Sequence, residues 1–116
     1  MPQMLSKTIV VLAVAAAAGS SAAYAVNEDA AKELARANNC FKCHAVSKDK
    51  DGPAYRKVAE KYRGKPEAEE KLIHHITSGE KAKFPDGHEE DHKIVKTDPP
   101  HDAAQVKNLI EWILSL

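Results

Sequence analysis

Residues 40–44 read Cys40-Phe41-Lys42-Cys43-His44, and they hold every cysteine of the 116-residue chain. Two thiols separated by two residues and followed at once by a histidine fit three chemistries, and each demands a different fold around them. A redox-active dithiol needs a helix N-terminus inside a βαβ pattern, because the helix dipole lowers the thiolate pKa. A structural zinc ion needs four ligands, usually two spaced pairs, and His88 and His92 could complete a Cys2His2 set on spacing alone. The third is c-type haem attachment. There the thiols form thioethers with the two haem vinyls, and the adjacent histidine becomes an axial iron ligand.

The compartment helps to choose. The N-terminus has one Lys7, an apolar run from Ile9 to Ala18, and small residues ending Ala23-Tyr24-Ala25. A charged start, a short apolar middle and an A-x-A end form a secretory signal peptide. The run falls short of the roughly 20 residues of a comfortable membrane span, which disfavours the alternative of an uncleaved anchor. Residues 1–25 are therefore expected to be a signal peptide and residues 26–116 a single exported domain, periplasmic in a Gram-negative source. After cleavage no apolar stretch is long enough to span a bilayer.

A domain of that size has a marginal core without a staple, a metal or a cofactor. The full chain has 17 basic and 17 acidic residues, and removal of Lys7 leaves no cationic surplus, which argues against nucleic acid as a partner, since phosphate recognition needs basic charge on one face. Repeats and low-complexity segments are absent.

The chain punctuates itself into helices. Asn27-Glu28-Asp29 caps a helix expected over 28–37 that stops at Asn38-Asn39, directly ahead of the cysteine motif. Gly52-Pro53 opens a short helix through Lys61, broken by Arg63-Gly64-Lys65-Pro66. Leu72, Ile73 and Ile76 form an apolar stripe in a third helix closed by Gly79. Residues 80–101 show no period. Asp102 with Gln105 resembles a capping box opening a last helix, in which Val106, Leu109, Ile110, Trp112 and Ile113 recur at helical spacing. Nothing alternates with period two, so the fold class is expected to be all-α. A motif at a helix C-terminal end, with no strands beside it, argues against a redox dithiol, and a missing second cysteine pair argues against zinc. Haem attachment is the favoured reading.

With those motifs in place, the sequence resembles the class I c-type cytochromes, especially the small bacterial c-551/c-552 kind. The likeness runs from the helix ending in CFKCH through GPAYRKVAEKYRG and HITSG to the final AAQVKNLIEWIL. It implies a small cytochrome c fold of about four helices around one covalently bound haem c. It also implies that Cys40 and Cys43 carry the haem, that His44 is the proximal ligand, and that the Pro53 carbonyl accepts a hydrogen bond from the second ring nitrogen of His44. The first and last helices should cross, with Leu34 against Leu109, Trp112 and Ile113. Trp112 and Tyr55 are read as core packing around the cofactor rather than as an electron relay.

One departure stands out. Family members place an axial methionine just before a Pro-Pro or similar turn, where this chain has Asp98 ahead of Pro99-Pro100. Its only methionines, Met1 and Met4, belong to the expected signal peptide. The candidates for the distal position are His92, His88, His101 and Lys96, with an open site as a further option. His92 ranks first, because it lies near the middle of the 80–101 loop and precedes Ile94 and Val95, which could pack on the porphyrin. The alternative for His88 and His92 is a solvated acidic turn, or a surface zinc or copper site. Of His74 and His75, one is expected to face solvent and the other to pair with a haem propionate; neither is read as an iron ligand.

Two function classes follow. A filled sixth position makes a one-electron carrier between periplasmic redox partner proteins, with a second cytochrome subunit among the candidates. An open position makes a protein that binds or senses NO, CO or O2. No acid–base constellation argues for an enzyme, and electron transfer is the favoured reading.

Overall fold

The first described helix shows how the chain organises itself. In a computed structural model that describes residues 25–116, helix α1 spans Glu28–Ala37, and the Asn27 side chain caps it by accepting from the Ala30 N–H. Ala31, Leu34 and Ala35 of α1 are buried together with Asn38 just beyond it, the i, i+3, i+4, i+7 stripe of an amphipathic helix. Two of those positions are alanine, which lets the last helix approach closely. The signal-peptide assignment of residues 1–25 falls, apart from Ala25, outside the described residues.

Helix α2 spans Tyr55–Tyr62, α3 spans Ala68–Ser78 and α4 spans Ala103–Leu114. Gly79 closes α3 at φ 71°, a left-handed conformation that glycine adopts without steric cost. Helix α4 packs against α1, α2 and α3, so it is the spine of the domain. It buries Val106, Leu109, Ile110, Trp112 and Ile113, and the last four meet Leu34, Tyr55 and Leu72 in one core cluster. The expected crossing of first and last helices is present.

Two local features differ from the sequence reading. Asp102 caps α4 by accepting from the Ala104 and Gln105 N–H groups, but Gln105 returns its amide to the Asp102 side chain and to the Asp98 carbonyl. The Asp102 N–H goes to the Thr97 hydroxyl instead. Within the aperiodic loop lies a small antiparallel hairpin, β1 Lys81–Lys83 against β2 Glu89–Asp91, in the register Lys81↔Asp91 and Lys83↔Glu89. Asp86-Gly87 forms its tip, a dipeptide suited to tight hairpin turns. Its strands are too short and too charged to show as alternation.

Candidate cofactor site

The cysteine motif is shaped by its backbone. Asn39 sits at φ 55° and turns the chain off α1 into a 3-10 turn, Cys40–Lys42. Asparagine is one of the few residues that tolerate that conformation. The Cys40 carbonyl then accepts from both the Cys43 and His44 N–H groups, at 3.2 and 3.0 Å. The motif is thereby curled into one tight turn. Both thiols are half-buried and form no disulfide. Burial pushes the Cys40 thiol above its ordinary value, the opposite of what a catalytic dithiol needs.

The loop that follows closes back on the motif. Gly52 donates its N–H to the Cys43 carbonyl at 2.7 Å, and Tyr55 and Arg56 donate to Ala45 and Val46. The Asp49 carboxylate accepts from the Ala54 N–H and pairs with Lys57. This framework presents the Pro53 carbonyl to His44, whose Nδ1 donates to it at 2.8 Å. A carbonyl only accepts, so the proton lies on Nδ1 and Nε2 is left with its lone pair. Burial pushes the His44 pKa down, which favours the neutral, ligating form. The His44 ring stacks on Tyr55 at 4.8 Å, and Tyr55 meets Trp112 edge-on at 5.9 Å.

Gly52 was legible in the sequence only as part of a turn signal. A Cβ at this position would lie 2.4 to 2.8 Å from three atoms of the His44 ring. Its φ is not in the left-handed region, so it is space that requires glycine there.

Opposite His44 is His92. The ring centroids are 6.4 Å apart. His92 Nδ1 donates to the Lys93 carbonyl at 2.9 Å, so Nε2 is again the free nitrogen, and burial lowers the His92 pKa as well. Two metal–imidazole bonds of about 2.0 Å, with roughly 1.1 Å from each donor nitrogen to its ring centre, give a centroid separation of about 6.2 Å. The observed separation is close to that length, with the two ring planes tilted by 46°. Among the described residues no three His, Cys, Asp or Glu side chains converge as a metal site. Two imidazoles fit a group that brings its own equatorial donors, as a porphyrin does.

The loop carrying His92 is tied at several points. His92 N–H donates to the Glu80 carbonyl and Val95 N–H to the Ile76 carbonyl, both at 2.9 Å. Asn38, buried, accepts from the Lys96 N–H at 2.7 Å and donates to the Lys96 carbonyl at 2.9 Å. In the sequence Asn38 reads only as a helix stop.

The other candidates lie elsewhere. His88 is bonded to Asp86 and stacks on Phe84 at 4.3 Å. His101 is exposed, at φ 59°. Ile94 is 51% exposed and lies beside Gly79, whereas Val95 packs against the core. His74 is exposed, as expected of one of the pair; His75 hydrogen-bonds the Glu80 carboxylate at 2.6 Å.

The comparisons with known proteins give the family. The family profile for cytochrome c matches residues 28–116, and the chain belongs to that family. It is 33% identical to cytochrome c-551 of Allochromatium vinosum, over 72% of this chain and 82% of that one. It is also 33% identical to cytochrome c-552 of Hydrogenobacter thermophilus, over 73% and 80%. Among solved structures, the class 1 cytochrome MtoD from Sideroxydans lithotrophicus ES-1 is 68% identical, with a TM-score of 0.73 over 78% of this chain and 97% of that one. Wild-type Nitrosomonas europaea cytochrome c552 is 32% identical, with a TM-score of 0.59 over 73% and 98%. The protein is a monohaem class I cytochrome with one covalently attached haem c. Its relatives are electron carriers rather than enzymes. No helix among the described residues is long and apolar enough to cross a membrane.

Proposed function

We propose that this cytochrome is an exported, periplasmic one-electron carrier with bis-histidine iron ligation by His44 and His92. The observation that carries the reading is the 6.4 Å separation of the two imidazoles, each with Nδ1 committed to a backbone carbonyl and Nε2 free. Cys40 and Cys43 would hold the haem through thioethers. Pro53 would fix the tautomer and orientation of His44, and the Lys93 carbonyl those of His92. When bound, the haem supplies an iron couple that takes up and releases a single electron.

With a histidine on each side, no position is left for a small gas, and that favours electron transfer over sensing. The only methionines are at positions 1 and 4, which supports a nitrogen ligand over a thioether. Export rests on the N-terminal pattern. Donor and acceptor are other redox proteins.

The test is His92→Ala in holoprotein. It should convert a low-spin spectrum to high-spin and open the iron to CO, while His88→Ala and His101→Ala leave the spectrum unchanged. An unaltered His92→Ala spectrum overturns the ligand assignment. A wild-type protein that is already high-spin and binds CO readily would put gas binding first.

A further inference from the structure

Backbone anchors hold the Cα of His92, but they leave its imidazole free to rotate about two side-chain bonds. The Lys93 carbonyl restrains one ring atom. What remains is the face of the ring, and His75 lies against it with centroids 4.4 Å apart and planes tilted by 46°. His75 projects from the last turn of α3 and is itself held. Its Nδ1 donates to Glu80 Oε1 at 2.6 Å, while Glu80 Oε2 lies 3.4 Å from His74 Nε2. The Glu80 carbonyl is the acceptor for the His92 N–H. One residue thus reaches His92 twice, through its own backbone and through a side chain that braces the neighbouring ring.

We propose that Glu80 and His75 are positioning residues for the distal ligand, fixing the plane of the His92 imidazole and holding it against dissociation. This rests on the reading of His92 as the distal ligand. Losing an outer partner of a metal ligand typically weakens metal binding about 10–100-fold, so here the brace should appear as a barrier to exchange at His92.

The experiment compares reduced and ferric holoprotein of wild type, Glu80→Ala, Glu80→Gln, His75→Ala, His92→Ala and His88→Ala. The rate of CO uptake by the reduced form and the electron paramagnetic resonance g values of the ferric form are measured in each. Glu80→Ala keeps the backbone acceptor and removes only the side chain. It and His75→Ala should raise the CO uptake rate about tenfold or more and shift the g values, which follow the orientation of the ligand planes. Glu80→Gln retains an acceptor oxygen for His75 and should return both readouts to wild-type values, as should the distant His88→Ala. If Glu80→Ala and His75→Ala leave both readouts at wild type, or lower only the melting temperature, the positioning role is overturned even though His92→Ala opens the iron. If His92→Ala itself changes nothing, it is the ligand assignment that has failed. Glu80 is exposed, so its variants keep the test available should His75→Ala fail to fold.

Discussion

Gly52→Ala is a one-methyl change that reaches His44. The added methyl would sit 2.4 Å from His44 Cε1, 2.7 Å from Nδ1 and 2.8 Å from Nε2. Carbon contacts are comfortable at about 3.5 Å, so the ring would have to retreat by roughly 1 Å. Tyr55 already stacks on it at 4.8 Å, near the close end of aromatic spacings. The other release is to pull the loop away, which strains the 2.8 Å bond to Pro53 and the 2.7 Å bond from Gly52 to Cys43. Overpacking costs about 1–3 kcal/mol and a weakened hydrogen bond about 1 kcal/mol, so the total is about 2–4 kcal/mol. At about 4–8 °C per kcal/mol for a domain of this size, holoprotein should melt at least about 8 °C lower. Thermal unfolding followed at the haem absorption band measures this. A melting temperature and spectrum equal to wild type would mean that Gly52 does not set the position of His44.

Three further outcomes follow from the same framework. Asn38→Ala removes the two bonds to Lys96 and one to the Leu34 carbonyl, and denaturant unfolding of holoprotein should show a loss of about 2–4 kcal/mol; an unchanged midpoint would refute the tether. The Ala54 N–H, and then Lys57, hold the Asp49 carboxyl below its ordinary pKa, so its stabilising effect is full above that value and fades as pH falls through the lowered one. Asp49→Asn should therefore unfold more easily than wild type at neutral pH, with the gap closing below about pH 4; a gap that is independent of pH would refute the charge account. The reduction potential should lie below that of a histidine–methionine cytochrome in a comparable environment, and a redox titration giving an equal or higher potential would count against imidazole at both positions.

How much could be read from the sequence follows from the range of each interaction. Helix α1 was legible to the residue because its signals are local: Asn27 as cap, Asn38-Asn39 as stop, and apolar positions at helical spacing. Gly79 and Asp102 marked ends for the same reason. The hairpin was not legible, since Lys81–Lys83 and Glu89–Asp91 carry no apolar alternation and are paired by register and charge. The 2.7 Å Lys81–Asp91 contact lies between residues ten apart in sequence. At the site, the spacing of the cysteine motif left three chemistries, among which the N-terminal pattern and the missing strands favoured haem, and His92 could be ranked first among the distal candidates by its place in the loop. The hold of Asn38 on Lys96, the clearance at Gly52 and the brace from His75 and Glu80 depend on distant parts of the chain meeting, and no periodicity records that. Of His74 and His75, the sequence could not say which would face solvent. The contacts of His75 with Glu80 and His92 are tertiary.

The most direct measurement of the central claim is the near-infrared magnetic circular dichroism spectrum of the ferric holoprotein, in which the energy of the porphyrin-to-iron charge-transfer band depends on the pair of axial ligands. Ligation by His44 and His92 predicts a low-spin iron with the band of a bis-imidazole pair. A histidine–amine or histidine–thioether band, or a high-spin spectrum, would contradict it.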